Sequence, residues 1–217
     1  MATTDPSDGA PSGQEHLTAP ERLALEEDLS GQPPLVQTPS QTIGPFFGFA
    51  LPFPGGPQLV PGTSADAIRL HGTVFDGSGT PIPDALLELW QPDADGRIVH
   101  EPGSLARQRG VFTGFGRAAV EADGSYEFVT VLPGGTSGPR FALVTLFARG
   151  MTHHVFTRAY FVGEGEADPT DALLERVPAA RRETLFARSD RPGSYRFDIR
   201  LQGDGETVFL DYPAGAR

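Results

Sequence analysis

The sequence predicts an all-β protein: an antiparallel β-sandwich core with an N-terminal extension and a short helical insert. Three observations lead there. From about residue 67 onward, apolar and polar residues alternate with a period of two through a series of short runs. The separators between the runs, "DGSGTPIPD", "DADGR", "ADGS" and "PGGTSGP", carry the Asp-Gly and Pro-Gly chemistry of tight turns. Only one later stretch, "PTDALLERVPAARRETLFARS" at residues 169–189, breaks into a helical pattern. Short strands joined by tight turns suit a sandwich of antiparallel sheets.

Taken in order, residues 1–17 are small, polar and rich in Gly and Pro, as expected of a tail that buries nothing. "TAPERLALEEDLS" follows, with Thr18 as N-cap, Pro20 in the first turn and Leu23, Leu25 and Leu29 set among charges, which predicts a short helix. The strands are expected in "AIRLHGTVFD", "ALLELWQP", "SYEFVTVL", "FALVTLFA", "HHVFTRAYFV", "SYRFDIRL" and "ETVFLDY". The domain boundaries read as an extension over 1–36, a sandwich over 37–212 and a tail over 213–217. Trp90, the sole tryptophan, stands on a strand of Leu and Glu and is expected to pack in the core.

Composition excludes several classes. With 28 acidic against 17 basic residues and a net charge of −11, the surface repels phosphate backbones and anionic lipid heads. There is no cysteine, hence no disulfide and no thiolate metal site, and no apolar run long enough to suggest a membrane span. The opening residues lack the basic start and apolar stretch of a secretory signal, so the expected location is cytoplasmic.

The residues themselves offer little chemistry. His153 and His154 form the one close histidine pair; on the expected strand their rings point to opposite faces and do not share a metal. "DADG" and "DGSG" lack the further acidic ligands of a calcium loop and read as turns. No serine sits in a nucleophile elbow, and no glycine-rich loop carries a phosphate-binding lysine. Arg181 and Arg182 in "RRETL" read as a solvated helix face, with an interface contact as the alternative. "TPSQTIGPFFGF", residues 38–49, is the exception to this blandness. Two prolines and two glycines oppose a long helix, and three phenylalanines are too many for a linker left in water. Either this chain's own core or another molecule must cover those rings.

Five separated blocks, "TPSQTIGPF", "HGTVFDGSGTPIPDALLELWQPDADG", "LFARGMTHHVFTRAYF", "RRETLFAR" and "YRFDIRLQGDGETVFLDY", occur in the order found in one family. Over residues 37–212 the chain resembles the α chains of protocatechuate-cleaving intradiol ring-cleavage dioxygenases. The resemblance implies a β-sandwich within a hetero-oligomer of α and β chains, acting in aromatic-compound catabolism along the β-ketoadipate route. It also implies a non-haem Fe(III) held by two tyrosines and two histidines of the β chain, which serves as Lewis acid and template. In the present sequence the four ligand places are taken by Ile98, Thr136 (near the second place), Phe141 and Leu143, none of which ligates iron. The implied role is therefore that of the subunit without iron. Thr42, Gly44, Pro45 and Phe46 are implied to line the substrate pocket of the β chain, with phenylalanine at 46 where better-known relatives have tyrosine. Arg149 is implied to stand near the same pocket, where a guanidinium would offset the substrate's carboxylate. For the segment, packing on the sandwich edge remains the alternative; for Arg149, an ion pair with the β chain. On the residues alone, a sandwich that only binds carbohydrate or protein is the competing class.

Overall fold

The longest strand pairing carries the fold's logic. In the computed structural model, which describes residues 41, 44–99, 111–135 and 138–211, strand β1 (Ala67–Phe75) pairs antiparallel with β4 (Ser125–Val131) along seven residues. Alternation then sorts the side chains. Leu70 and Val74 of β1, with Tyr126 and Phe128 of β4, turn inward to the main core. β2 (Leu86–Trp90), β3 (Phe115–Ala119), β5 (Phe141–Phe147) and β6 (Val155–Val162) follow the same rule and send Leu87, Leu89, Ala118, Ala142, Val144, Leu146, Ala159 and Phe161 into that core. β7 (Phe186–Arg191), β8 (Ser194–Arg196) and β9 (Ile199–Arg200) complete the strands among the described residues. The order across the sheet is β3-β2-β5-β6-β7-β8-β1-β4, with β9 beside β1.

The all-β expectation holds in this coarse form, but the sheet is mixed and not antiparallel throughout. β6 pairs parallel with β7, and β1 pairs parallel with both β8 and β9. For β6 and β7 the cause is the helical insert. A hairpin turn reverses the chain, whereas a parallel neighbour needs a longer crossover. Residues 163–185 make one, with α2 (Ala172–Arg176) and α3 (Ala179–Arg182) returning the chain so that β7 starts alongside β6. Asp171 caps α2 by accepting the Leu174 N–H at 2.8 Å. Leu174, Val177 and Leu185 then bury against Tyr160, Val162 and Phe186 on the outer face of the sheet, a second, smaller core.

Several local expectations need correction. β3 and β7 were not expected as strands. "FGRAA" is short and holds a glycine, and "FARSDR" continues a helical pattern; pairing with β2 and with β6 overrides both weak local signals. "SYRFDIRL" is not one strand. It breaks at Phe197, where the backbone approaches Gly72 so closely that a β-carbon there would lie 2.0 Å from the Phe197 carbonyl oxygen. "ETVFLDY" contributes only an isolated bridge, Leu210 to Phe156. His153 and His154 lie in the bend before β6 and not on the strand, because the chain is still turning after Gly150 (φ +84°). The extension before residue 41, with its expected helix, and the final residues lie outside the described part.

A strap joins the two edge strands. The Arg117 N–H on β3 donates to Gly56 O at 2.9 Å, while the Val129 N–H on β4 donates to Pro57 O at 2.9 Å and Val129 O accepts from the Leu59 N–H at 2.8 Å. Residues 56–59 thus occupy backbone groups that would otherwise be exposed edges. The same strap delivers the segment ahead of it, a 3-10 turn at Gly44–Phe46 and the one-turn helix α1 (Phe47–Ala50), to the outer face.

Candidate functional site

The outer face of β2, β5 and β6 carries two groups of candidate residues at its opposite ends. At one end the register aligns Trp90 with Leu143 and Leu143 with Arg158, while Phe141 faces Tyr160 two pairs away. Phe141, Leu143 and Trp90 line a cleft of about 630 Å³ together with Ile98, Val99 and the glycines 134, 135 and 138. Ile98 arrives there from the Asp93 turn, whose carboxylate accepts the N–H groups of Asp95 and Arg97 at 3.0 and 2.8 Å. Three of the four positions singled out in sequence therefore do meet in one cleft; Thr136 lies outside the described residues. Trp90 is corrected: it faces outward, 45% exposed, against Phe115 with ring centroids 4.5 Å apart. Its neighbours Leu87 and Leu89 take the inward places because β2 presents odd-numbered residues to the main core.

The donor set of the cleft does not fit iron. Ile98, Phe141 and Leu143 have no lone pairs to offer. Asp171, the carboxylate in the lining, is occupied: it caps α2, accepts the Tyr160 hydroxyl at 2.7 Å and faces the Arg158 guanidinium at 3.4 Å. Burial first, and then that hydrogen bond to Asp171, push the Tyr160 phenol up to about 12. Arg158 lies over the Phe141 ring, 4.2 Å from its centroid. Among the described residues no group of three or more His, Asp or Glu is arranged to hold a metal.

At the other end of β5 stands the aromatic segment. Gly44 adopts φ +69°, a conformation that other residues rarely take, and opens the 3-10 turn. Phe47 is buried against Phe147, with ring centroids 6.3 Å apart, and Phe147 in turn packs on His154 at 5.2 Å. Phe46 and Phe49 are left outside, 70% and 84% exposed. So the chain's own core covers one ring of three. Thr42 lies outside the described residues. Arg149, two residues beyond Phe147, is bound through Nε to Asp84 at 2.6 Å with its side chain largely exposed. Gly44, Phe46 and Arg149 thus share one end of the sheet, and none of them lines the cleft.

Sequence reasoning missed the residues that hold this end in place. Arg117 donates through Nη1 to Leu51 O at 2.7 Å and through Nε to Glu88 Oε1 at 3.0 Å. The only available signal was an arginine in a stretch not expected to be a strand.

A family model described as "Dioxygenase" matches residues 60–203. The chain belongs to this family, that of the intradiol dioxygenases. It is 41% identical to the protocatechuate 3,4-dioxygenase alpha chain of Burkholderia cepacia over 195 residues, covering 82% of this chain and 98% of that one. It is 38% identical to the alpha chain of Pseudomonas putida over 200 residues, again covering 82% and 98%. Similarity to the Burkholderia cepacia beta chain is lower, 30% over 161 residues, with 65% of this chain and 67% of that one covered.

Proposed function

We propose that this chain is the α subunit of a protocatechuate 3,4-dioxygenase. Its partner is a β chain that holds the Fe(III), and the complex cleaves protocatechuate with O2 between its hydroxylated carbons to give 3-carboxy-cis,cis-muconate. The observation that carries the reading is the separation of the two groups: the places aligned with iron ligands bring the hydrocarbon side chains of Ile98, Phe141 and Leu143 to one cleft, while Gly44, Phe46 and Arg149 stand at the far end of β5. Residues set to serve a substrate, but remote from their own cleft, suit a pocket in another chain.

This chain's part is to shape and polarise that pocket. The Phe46 ring is a flat apolar wall of the kind that accepts a planar catechol, and Gly44 lets the backbone approach closely. Thr42 and Pro45 complete the wall in this reading. Arg149, tethered by Asp84, offers positive charge to the carboxylate of protocatechuate. The domain reading accompanies it: residues 37–212 as the dioxygenase-like domain, flanked by an extension and a tail, in a cytoplasmic hetero-oligomer.

The test is expression of this chain with and without its β partner, followed by iron analysis and oxygen uptake on protocatechuate. Activity and iron are expected only in the co-expressed complex. A red-brown, iron-loaded protein purified from this chain alone would overturn the proposal.

A further inference from the structure

We infer that Arg117, braced by Glu88, is a positioning residue that fixes the Phe46–Phe49 ridge, an inference resting on the reading of that ridge as a wall of the partner's pocket. The two residues face each other across β2 and β3 and are nearly enclosed, with side chains 11% and 17% exposed. The guanidinium gives Nε and Nη2 to Glu88 and Nη1 to Leu51 O. It also lies 5.4 Å from the Phe115 ring centroid and 5.7 Å from that of Phe53. The backbone N–H of Arg117 meanwhile holds Gly56 O, where a β-carbon on Gly56 would come within 2.6 Å of the Arg117 carbonyl oxygen.

Leu51 is the C-cap of α1, and its own N–H donates back to Phe47 O at 3.1 Å. Residue 51 is therefore held on both sides, its N–H into the helix and its carbonyl onto Arg117. A one-turn helix has no cooperative stability of its own and takes its pose from what it is fastened to. Phe47 seated on Phe147 and Leu51 held by Arg117 are such fastenings, and the exposed Phe49 lies between them with Phe46 adjoining. An enclosed ion pair is a weak way to join two strands, since a well-packed apolar pair commonly serves as well or better. What an apolar pair cannot do is donate to Leu51 O. The third hydrogen bond is the feature that distinguishes this arginine from a packing residue.

The inference is tested in the co-purified complex with β, using Arg117→Met/Glu88→Leu, Arg117→Lys and Glu88→Gln. The double variant keeps the strands packed and removes the donor. Arg117→Lys keeps the charge facing Glu88 but lacks the planar fork that reaches both partners. In both, hydrogen exchange at the Leu51 amide is expected to rise at least about tenfold, and kcat/KM for protocatechuate to fall by about tenfold or more, the scale of a wall displaced by a fraction of an ångström. Iron content, αβ stoichiometry and Tm should stay near those of the parent. Glu88→Gln retains an acceptor for Arg117 and should remain within about twofold on every measure. Unchanged Leu51 exchange in the two arginine variants overturns the inference, as does faster exchange with kcat/KM intact. If the parent complex takes up no oxygen with protocatechuate, the functional reading fails on its own, and Leu51 exchange alone then decides whether Arg117 positions the ridge.

Discussion

Strand β5 begins and ends under two unlike surfaces. At Phe141 and Leu143 the outer face is concave, walled by Ile98 and Trp90, and backed by the Tyr160, Asp171 and Arg158 cluster. At Phe147, roughly 20 Å away at about 3.3 Å per residue, the surface rises into a ridge from which Phe46 and Phe49 project. The cleft encloses space, but Ile98, Phe141 and Leu143 offer a metal no donor and Asp171 is already engaged. The ridge offers rings and a guanidinium but only a small hollow, about 130 Å³ between Phe47, Phe147 and Met151. The length of β5 keeps the two surfaces apart. The chain is similar to both an alpha and a beta chain, which suits the proposed pairing of related folds.

The comparison breaks most visibly at the ridge. Deleting residues 38–46 removes no core strand and is expected to leave iron on the β chain, while kcat/KM for protocatechuate falls about a hundredfold; steady-state oxygen uptake with iron analysis checks it. Phe46→Ala should lose about tenfold by removing one wall, whereas Phe46→Tyr, close in volume, should be tolerated. Arg149→Ala should raise KM for protocatechuate about tenfold, the effect of a lost charge-assisted contact of roughly 1.5 kcal/mol, and raise KM for catechol much less. Equal loss on both substrates would return Arg149 to a structural ion pair.

The cleft should behave in the opposite way. Phe141→Ala is expected to cost about 2 kcal/mol of stability yet leave kcat/KM within about twofold, read by denaturant unfolding beside oxygen uptake. Alkaline stability is the subtler probe. Tyr160 titrates near 12 in the folded chain, above its ordinary value of 10, so its contribution is complete below pH 10 and is lost as pH rises from 10 through 12. That contribution is on the order of 2 kcal/mol for a fully enclosed phenol. Tyr160→Phe should flatten this part of the stability profile without moving catalysis at neutral pH.

What sequence alone determined follows from strong local chemistry. Period-two alternation made β1, β2, β4, β5 and β6 readable, because one face of each must meet the core. Asp-Gly and Pro-Gly turns marked their ends. The hydrocarbon character of Ile98, Phe141 and Leu143 needed no coordinates, since residue type alone decides whether a side chain can ligate a metal. Tertiary structure decided the rest. The parallel partner of β6 depends on where the helical insert returns the chain, which no local pattern encodes. Trp90 turned outward because the sheet's inward places on β2 belong to Leu87 and Leu89. Phe46, Phe47 and Phe49 are the same residue type within four positions, yet one is buried and two are exposed. That division is set by Phe147 and Arg117, roughly 100 and 70 residues further along the chain, and contacts at such separation exist only once the fold has brought them together.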